Sequence, residues 1–201
     1  MNKLFAFLIA FFLLLSAVAV GLWAAGVFEP QEKASSSVIL GVPQLGGSFT
    51  LVNQKGETVT DKSYRGKLML IFFGYTNCPD VCPTEMQDIA LTMQQLGDDA
   101  ADVVPIFITV DPTRDTPEVM ADFVSAFDPS LVGLSGTEKQ IDDVKEKFRV
   151  YAEKVPGDDP NYYLVNHTSY TYLMGRDGKL ITVFSYGTPP EKMAAKIREQ
   201  L

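Results

Sequence analysis

The stretch "LMLIFFGYTNCPDVCPTEM", residues 68–86, contains the features that decide the fold. Its first six residues, 68–73, are all apolar, which is typical of a strand buried on both faces of a sheet. Apolar residues then recur at helical spacings of three and four: Met86, Ile89, Ala90, Met93 and Leu96. Gly97 is placed to end this helix. The stretch therefore predicts a strand–turn–helix unit, with Cys78 and Cys82 where the strand gives way to the helix.

The rest of the chain alternates strand and helix patterns. Residues 103–110, "VVPIFITV", predict a second buried strand. Hairpins with glycine-containing turns are predicted at residues 49–60 and around residues 176–179, and a final helix begins near Pro190. Three more elements are predicted: a helix starting at Thr116, a short strand at 131–134 and a helix at 137–148. This order predicts an α/β fold, a sheet with helices on both faces and a β-hairpin at its N-terminal end.

An uncharged apolar stretch, Leu4 to Phe28, precedes the domain. At about 1.5 Å per residue, a helix of this length spans about 37 Å, enough to cross a bilayer core of about 30 Å. We therefore predict a single transmembrane helix, although Ala17-Val18-Ala19 also resembles the cleavage site of a signal peptide. Lys3 before the span favours a cytoplasmic N-terminus. The predicted organisation is a cytoplasmic N-terminus (1–3), an anchor (4–28), a polar linker (29–40) and an external domain (41–201).

The charge balance narrows the class of protein. The chain has 17 basic and 25 acidic residues, and its formal net charge is −8. Nucleic-acid binding needs a basic face, so we expect no nucleic-acid partner. The predicted orientation places the domain in a periplasm-like space, where thiols are not kept reduced by the cytosolic pool.

Cys78 and Cys82 are the only cysteines of the chain, in the spacing CxxxC. A helix N-terminus favours the thiolate form, because its free N–H groups and partial positive charge stabilise a negative charge. The thiolate is both the redox nucleophile and the metal ligand, so this setting is compatible with either role. Residues four apart share a helical face, where two sulfurs can bind one ion or form a disulfide. The alternative is that both cysteines pack as small apolar groups or form an inert disulfide.

His167 is the only histidine, and it follows an irregular segment, residues 152–166, rich in Pro, Gly and Asp. We predict a long loop for this segment, which could carry His167 towards the cysteines. Two thiolates and one imidazole do not complete the tetrahedron of a structural zinc site. Soft sulfur donors with an imidazole suit copper, above all Cu(I) with its low coordination number.

Other polar residues near these motifs have simpler interpretations. Asp80, between the cysteines, is expected to cap the helix, or else to orient a metal ligand. Within "DPTRDTP", residues 111–117, Asp111 is expected to make hydrogen bonds within the loop. Arg114 and Asp115 in the same loop are candidates for contacting a partner protein.

The motifs "FFGYTNCPDVCPTEM" and "DPTRDTP", followed by a lone histidine before a strand, resemble the Sco/SenC family of copper proteins for cytochrome c oxidase assembly. This resemblance implies a thioredoxin-like, peroxiredoxin-related fold, an inner-membrane anchor and a domain facing the periplasm. It also implies that Cys78, Cys82 and His167 bind copper, as Cu(I) or Cu(II). The family's proposed task is to help build the CuA centre in oxidase subunit II. Asn166 departs from the family pattern, which has an acidic residue before the histidine. Its amide can still make a hydrogen bond, so Asn166 is a candidate for supporting a ligand or contacting a partner, but it lacks the charge.

Three functional hypotheses follow. The first is a membrane-anchored metallochaperone, supplied by an upstream periplasmic copper donor, that delivers copper to cytochrome c oxidase subunit II. The second is a thiol–disulfide oxidoreductase that reduces the CuA cysteines before metallation, itself kept reduced by a thiol reductant. A peroxidase is the weakest hypothesis, because "TNC" does not match the T-x-x-C setting of a peroxidatic cysteine and no distant resolving cysteine exists.

Overall fold

The computed structural model describes residues 45–157 and 162–201. The predicted cytoplasmic N-terminus (1–3), transmembrane anchor (4–28) and linker (29–40) lie outside these residues. In the part of the chain that is described, no helix has the length and apolar character needed to cross a membrane.

Within these two ranges the chain forms nine strands and four α-helices. The strands are β1 (Thr50–Asn53), β2 (Thr58–Thr60), β3 (Leu68–Gly74), β4 (Val103–Thr109), β5 (Val132–Ser135), β6 (Ala152–Pro156), β7 (Tyr163–His167), β8 (Tyr170–Met174) and β9 (Leu180–Ser185). The helices are α1 (Val81–Leu96), α2 (Pro117–Ser125), α3 (Glu138–Phe148) and α4 (Pro190–Arg198). Short 3₁₀ helices cover Asp61–Tyr64 and Gly97–Asp102.

Seven strands form one sheet in the order β2-β1-β5-β4-β3-β8-β9. The pairs β3–β4 and β4–β5 are parallel, and the other pairs of this sheet are antiparallel. All seven residues of β3 are buried, which confirms the strand predicted from the apolar run at residues 68–73. The mixed α/β architecture and the N-terminal hairpin β1–β2 are likewise as predicted.

Helices cover both faces of this sheet. Phe107 of β4 pairs with Phe72 of β3, so both side chains lie on the opposite face from Phe73. On the Phe72 face, Phe107 contacts Phe123 of α2, with ring centroids 5.0 Å apart. On the other face, Phe148 of α3 packs against Phe73 at 5.3 Å. These aromatic contacts bury the sheet between helices. The segments that follow the C-terminal ends of β3 and β4 carry the cysteine motif and the loop at residues 110–116.

The helix after β3 has the predicted limits. It begins with Cys82 in its first turn, and Gly97 follows its last residue with a φ of 60°. A residue with a side chain is strained at such a φ, so glycine is the residue suited to ending the helix here.

The prediction of a loop at residues 152–166 was wrong. This segment contains β6 and the greater part of β7, which pair antiparallel from Ala152↔His167 to Pro156↔Tyr163. The two strands form a separate sheet outside the seven-stranded one. Four of the five β6 side chains are exposed, so backbone hydrogen bonding stabilises this hairpin without an alternating apolar pattern in the sequence. His167, the last residue of β7, therefore lies on a strand of defined register.

Candidate metal centre

The turn between β3 and α1 places the two cysteines one above the other. The backbone N–H of Cys78 donates to the carbonyl of Tyr75 at 3.2 Å, which closes the turn after the strand. The N–H of Cys82 lies 3.4 Å from the sulfur of Cys78 and donates to it. Amides in the first turn of a helix have no partner within the helix, so the Cys78 sulfur takes the place of a capping side chain. Cys82 is fully buried, whereas Cys78 is half-buried.

Gly74, the last residue of β3, makes room for the Cys82 sulfur. A Cβ atom at this position would lie 2.8 Å from the Cys82 sulfur and 2.8 Å from the ring of Phe107. Real carbon atoms do not approach to that distance, so any side chain here would displace the sulfur or the ring. The absence of a side chain at Gly74 therefore fixes how closely α1 approaches the sheet at the site.

His167 completes the cluster from the β6–β7 hairpin. Its Nε2 atom lies 3.4 Å from the Cys82 sulfur. Its Nδ1 atom lies 3.0 Å from the carbonyl oxygen of Thr168, to which it can only donate. The neutral imidazole then carries its free electron pair on Nε2, the atom that faces the cysteines. The rings of Phe72 and Tyr75 meet the imidazole edge to face at 6.1 and 5.9 Å and restrict its rotation.

These three residues can hold one metal ion. The two sulfurs and the nearer imidazole nitrogen all lie within 4.8 Å of one another. Three donors bound at about 2.0–2.3 Å, as in zinc sites, lie about 4 Å apart, so the observed spacing fits one ion after small side-chain movements. Two thiolates and an imidazole are soft donors, and they suit Cu(I) better than Mg²⁺ or Ca²⁺. The geometry therefore brings together Cys78, Cys82 and His167, as the sequence predicted.

The two cysteines have opposite acid strengths. A hydrogen bond from the Cys82 thiol is the main cause that holds the pKa of Cys78 well below its usual range, although burial opposes this. The nearby His167 ring and the N–H groups of Asp80 and Cys82 lower this pKa further. Cys82 donates a hydrogen bond to the Cys78 sulfur, and this bond raises the pKa of Cys82. Burial of Cys82 raises its pKa further. Negative charge is therefore favoured on Cys78, the more accessible sulfur, and the proton is favoured on Cys82.

The side chains of two predicted site residues, Asp80 and Asn166, take no part in the cluster. Asp80 occupies the N-cap position of α1, but its side chain is exposed and makes no capping hydrogen bond. The expectation that it caps the helix was wrong, because the Cys78 sulfur accepts the first-turn amide. Asn166 is also exposed, and it pairs across the hairpin with Glu153. Because consecutive residues of a strand point to opposite faces, the Asn166 side chain is turned away from the His167 ring. The ring donates instead to the backbone carbonyl of Thr168.

The candidate partner residues Arg114 and Asp115 are engaged within the protein. Asp115 is fully buried and accepts hydrogen bonds from the N–H and hydroxyl of Thr76, at 3.1 and 2.6 Å, and from the hydroxyl of Thr109. Arg114 is mostly buried, with its guanidinium 3.7 Å from the centre of the Tyr163 ring. Asp115 therefore anchors the turn that leads to Cys78, and Arg114 contacts the hairpin that carries His167.

Tyr75, Thr76 and Tyr163 were not predicted as site residues. Tyr75 and Thr76 lie three and two residues before Cys78, and this proximity was the available signal. Tyr163 lay in a segment read as a loop, and no local pattern distinguished it from its neighbour Tyr162. Its role depends on a contact with Arg114, 49 residues away, which sequence periodicity does not reveal.

The lowered pKa of Cys78 predicts its reactivity in the reduced, metal-free protein. The thiolate should persist well below the usual thiol pKa of about 8.5, so alkylation of Cys78 by iodoacetamide should proceed at nearly the same rate at pH 6 and pH 8.5. An ordinary thiol would slow by more than about 100-fold over this interval. Mass spectrometry of the alkylated peptide measures the rate, with Cys78→Ser as the control for reaction at Cys82. A rate that falls in proportion to hydroxide concentration would contradict the assignment.

Comparisons with known proteins identify the family of the chain. The SCO1/SenC family model matches residues 39–201. The protein sco1 of Schizosaccharomyces pombe is 42% identical over 193 residues, which cover 92% of this chain and 73% of that protein.

Solved structures give the same result. The structure of Bradyrhizobium japonicum ScoI with copper bound matches with a TM-score of 0.74 and 49% identity, over 78% of this chain and 99% of that one. BsSco matches with a TM-score of 0.64 and 25% identity, over 78% of this chain and 94% of that one. It is described as having a disulfide switch and as a member of the Sco family of cytochrome c oxidase assembly proteins. The chain described here belongs to the SCO1/SenC family.

Proposed function

We propose that this protein is a copper metallochaperone that binds one copper ion through Cys78, Cys82 and His167. Its acceptor is the CuA site of cytochrome c oxidase subunit II. The observation that carries the proposal is the convergence of two sulfurs and one imidazole nitrogen within 4.8 Å, from segments far apart in the sequence. Support comes from B. japonicum ScoI, which was solved with copper bound, and from BsSco, which is described as a member of an oxidase-assembly family.

The donor set suits a cargo ion that must be released. A three-coordinate site leaves room for a ligand from the acceptor, and soft donors stabilise Cu(I) without a fourth protein ligand. Cys78 and His167 are both partly accessible, whereas Cys82 is fully buried. An acceptor thiolate would therefore replace Cys78 or His167 first, and Cys82 would be the last ligand to let go. This order allows transfer without exposing the ion to water.

Replacing His167 tests the ligand set. His167→Ala should bind Cu(II) more than about 100-fold more weakly than the wild type, because losing a direct imidazole donor costs more than the about 10–100-fold typical of losing an outer partner. Bound copper per chain and affinity are measured with the full chain in detergent micelles, reduced and loaded without oxygen. Asn166→Ala is a matched control, since Asn166 neighbours His167 on the same strand but is exposed. Equal copper affinity in His167→Ala and the control would refute the three-ligand site.

A thiol–disulfide oxidoreductase is the second candidate function. It is favoured by the half-buried Cys78 with its lowered pKa and by the adjacent buried Cys82. Attack of the Cys78 thiolate on a target disulfide forms a mixed disulfide and releases one target thiolate. The Cys82 sulfur, after losing its proton, then displaces the second target thiolate and forms a Cys78–Cys82 disulfide. Two electrons pass to the target, and a periplasmic thiol reductant would restore the dithiol.

Trapping the intermediate tests this second function. Cys82→Ser should accumulate a mixed disulfide between Cys78 and the oxidised soluble domain of subunit II, because the resolving thiol is absent. Cys78→Ser should accumulate none. Non-reducing gels and mass spectrometry identify the linked species. If both variants gave the same amount of mixed disulfide, or neither gave any, the reductase assignment would fail.

The proposal places the protein in the inner membrane as a single-pass protein with its domain in the periplasm. The apolar stretch at residues 4–28 supports an anchor by its length and lack of charge, and Lys3 supports this orientation. An external location suits delivery to a CuA domain on the same side of the membrane.

The location is tested by labelling, because both cysteines belong to the external domain. A membrane-impermeant maleimide added to intact spheroplasts should label the reduced full chain at Cys78, and carbonate washing should leave the chain in the membrane pellet. A chain beginning at residue 34 and produced without an anchor should stay in the supernatant. Labelling that required permeabilised cells would overturn the proposed orientation.

A further inference from the structure

The position of His167 depends on how the β6–β7 hairpin is attached to the domain. Within the described residues, these two strands pair only with each other and do not join the seven-stranded sheet. His167 lies at the base of the hairpin, and Tyr163 lies four residues away, towards its tip. Backbone hydrogen bonding therefore fixes the register of the hairpin, but contacts with the rest of the domain must fix where the hairpin lies.

A cluster of three side chains provides such a contact. The hydroxyl of Tyr163 donates to the buried carboxylate of Asp111 at 2.8 Å. Arg114 makes an ion pair with the same carboxylate through its Nε atom, and its Nη1 atom donates to the backbone carbonyl of Tyr163 at 3.0 Å. The guanidinium also lies 3.7 Å from the centre of the Tyr163 ring. We name Asp111, Arg114 and Tyr163 the hairpin clamp.

Arg114 of the clamp also contacts His167 indirectly, through the ring of Tyr75. The carbon atom of the Arg114 guanidinium lies 5.6 Å from the centre of the Tyr75 ring, on the side of the cysteine turn. Tyr75 is buried and meets the His167 ring edge to face at 5.9 Å. Arg114 thus contacts both the strand that carries His167 and an aromatic ring that packs on its imidazole.

We propose that Arg114 is a positioning residue for His167, holding the β6–β7 hairpin so that Nε2 faces the two cysteines. This role deepens the proposed function and rests on it, since His167 matters there as a copper ligand. Stacking on a tyrosine, pairing with a carboxylate and donating to a carbonyl at the same time requires the planar guanidinium. A lysine would keep the positive charge but could not make this set of contacts.

The clamp is tested in the metal-free, full-length protein in detergent micelles. Because the chain has one histidine, nitrogen NMR of its imidazole reports only on His167. In Arg114→Lys we expect the imidazole signals of His167 to shift and broaden, because the ring then moves relative to the Tyr75 and Phe72 rings that pack on it. We also expect hydrogen exchange at the β7 amides to be about tenfold faster, as the hairpin opens more often. Cu(II) affinity should fall about tenfold, the lower end of the effect of losing an outer partner of a metal ligand, because Arg114 acts on His167 only through the hairpin and Tyr75.

Two further variants make the test decisive. Arg176→Lys is the matched control, because Arg176 bonds to the carbonyl of Gly66 at the opposite end of β3. Tyr163→Phe removes only the hydroxyl bond to Asp111 and should shift the same readouts in the same direction by a smaller amount. If Arg114→Lys loses its fold by circular dichroism, Tyr163→Phe decides the outcome by the same readouts.

Imidazole signals and β7 exchange in Arg114→Lys equal to those of Arg176→Lys would overturn the positioning role. Because these two readouts need no copper, they separate the clamp from the proposed function. Loss of copper affinity in His167→Ala together with unchanged imidazole signals in Arg114→Lys would refute the clamp alone. Altered imidazole signals with full copper affinity in His167→Ala would refute the three-ligand site and leave the clamp established.

Discussion

The buried carboxylate of Asp115 needs hydrogen-bond donors, because burying it without them would be costly. The donors that it finds connect the loop after β4 with the turn that carries Cys78. Burial raises the pKa of this group, while hydrogen bonds from Thr109 and Thr76 offset part of the cost. Thr109 ends β4, and Thr76 lies in the turn that leads to Cys78. The same short loop also supplies Asp111, whose carboxylate contacts the His167 hairpin through Tyr163. One connection between a strand and a helix therefore sets the distance between the dithiol and the imidazole.

This arrangement explains why the site suits both metal transfer and thiol chemistry. Lowering the pKa of Cys78 makes its sulfur a good ligand and a good nucleophile, because the thiolate is the reactive form in both roles. Because the pKa of Cys82 is raised, its thiol stays protonated until a metal ion binds the sulfur or the sulfur forms a disulfide. His167 distinguishes the two roles, since a metal needs a third donor and thiol–disulfide exchange does not.

Sequence reasoning succeeded where the interactions are local. The apolar run of β3, the helical spacing of α1 and the place of both cysteines between them follow from patterns within about 30 residues. The prediction that Asp80 caps α1 failed because a sulfur, rather than a carboxylate, accepts the first-turn amide. The β6–β7 hairpin was missed because most β6 side chains are exposed, so the strand lacks alternating hydrophobicity. The contacts of Arg114 with Tyr75 and Tyr163 join segments about 40–50 residues apart, and periodicity carries no information about such pairs.

The central claim is that two sulfurs and one imidazole nitrogen bind a single copper ion. X-ray absorption at the copper K-edge, on the full-length protein loaded anaerobically with one equivalent of Cu(I), tests it most directly. We predict two sulfur ligands and one nitrogen ligand, with imidazole scattering that disappears in His167→Ala. A spectrum with sulfur ligands only, or imidazole scattering that survives the substitution of His167, would contradict the three-ligand site.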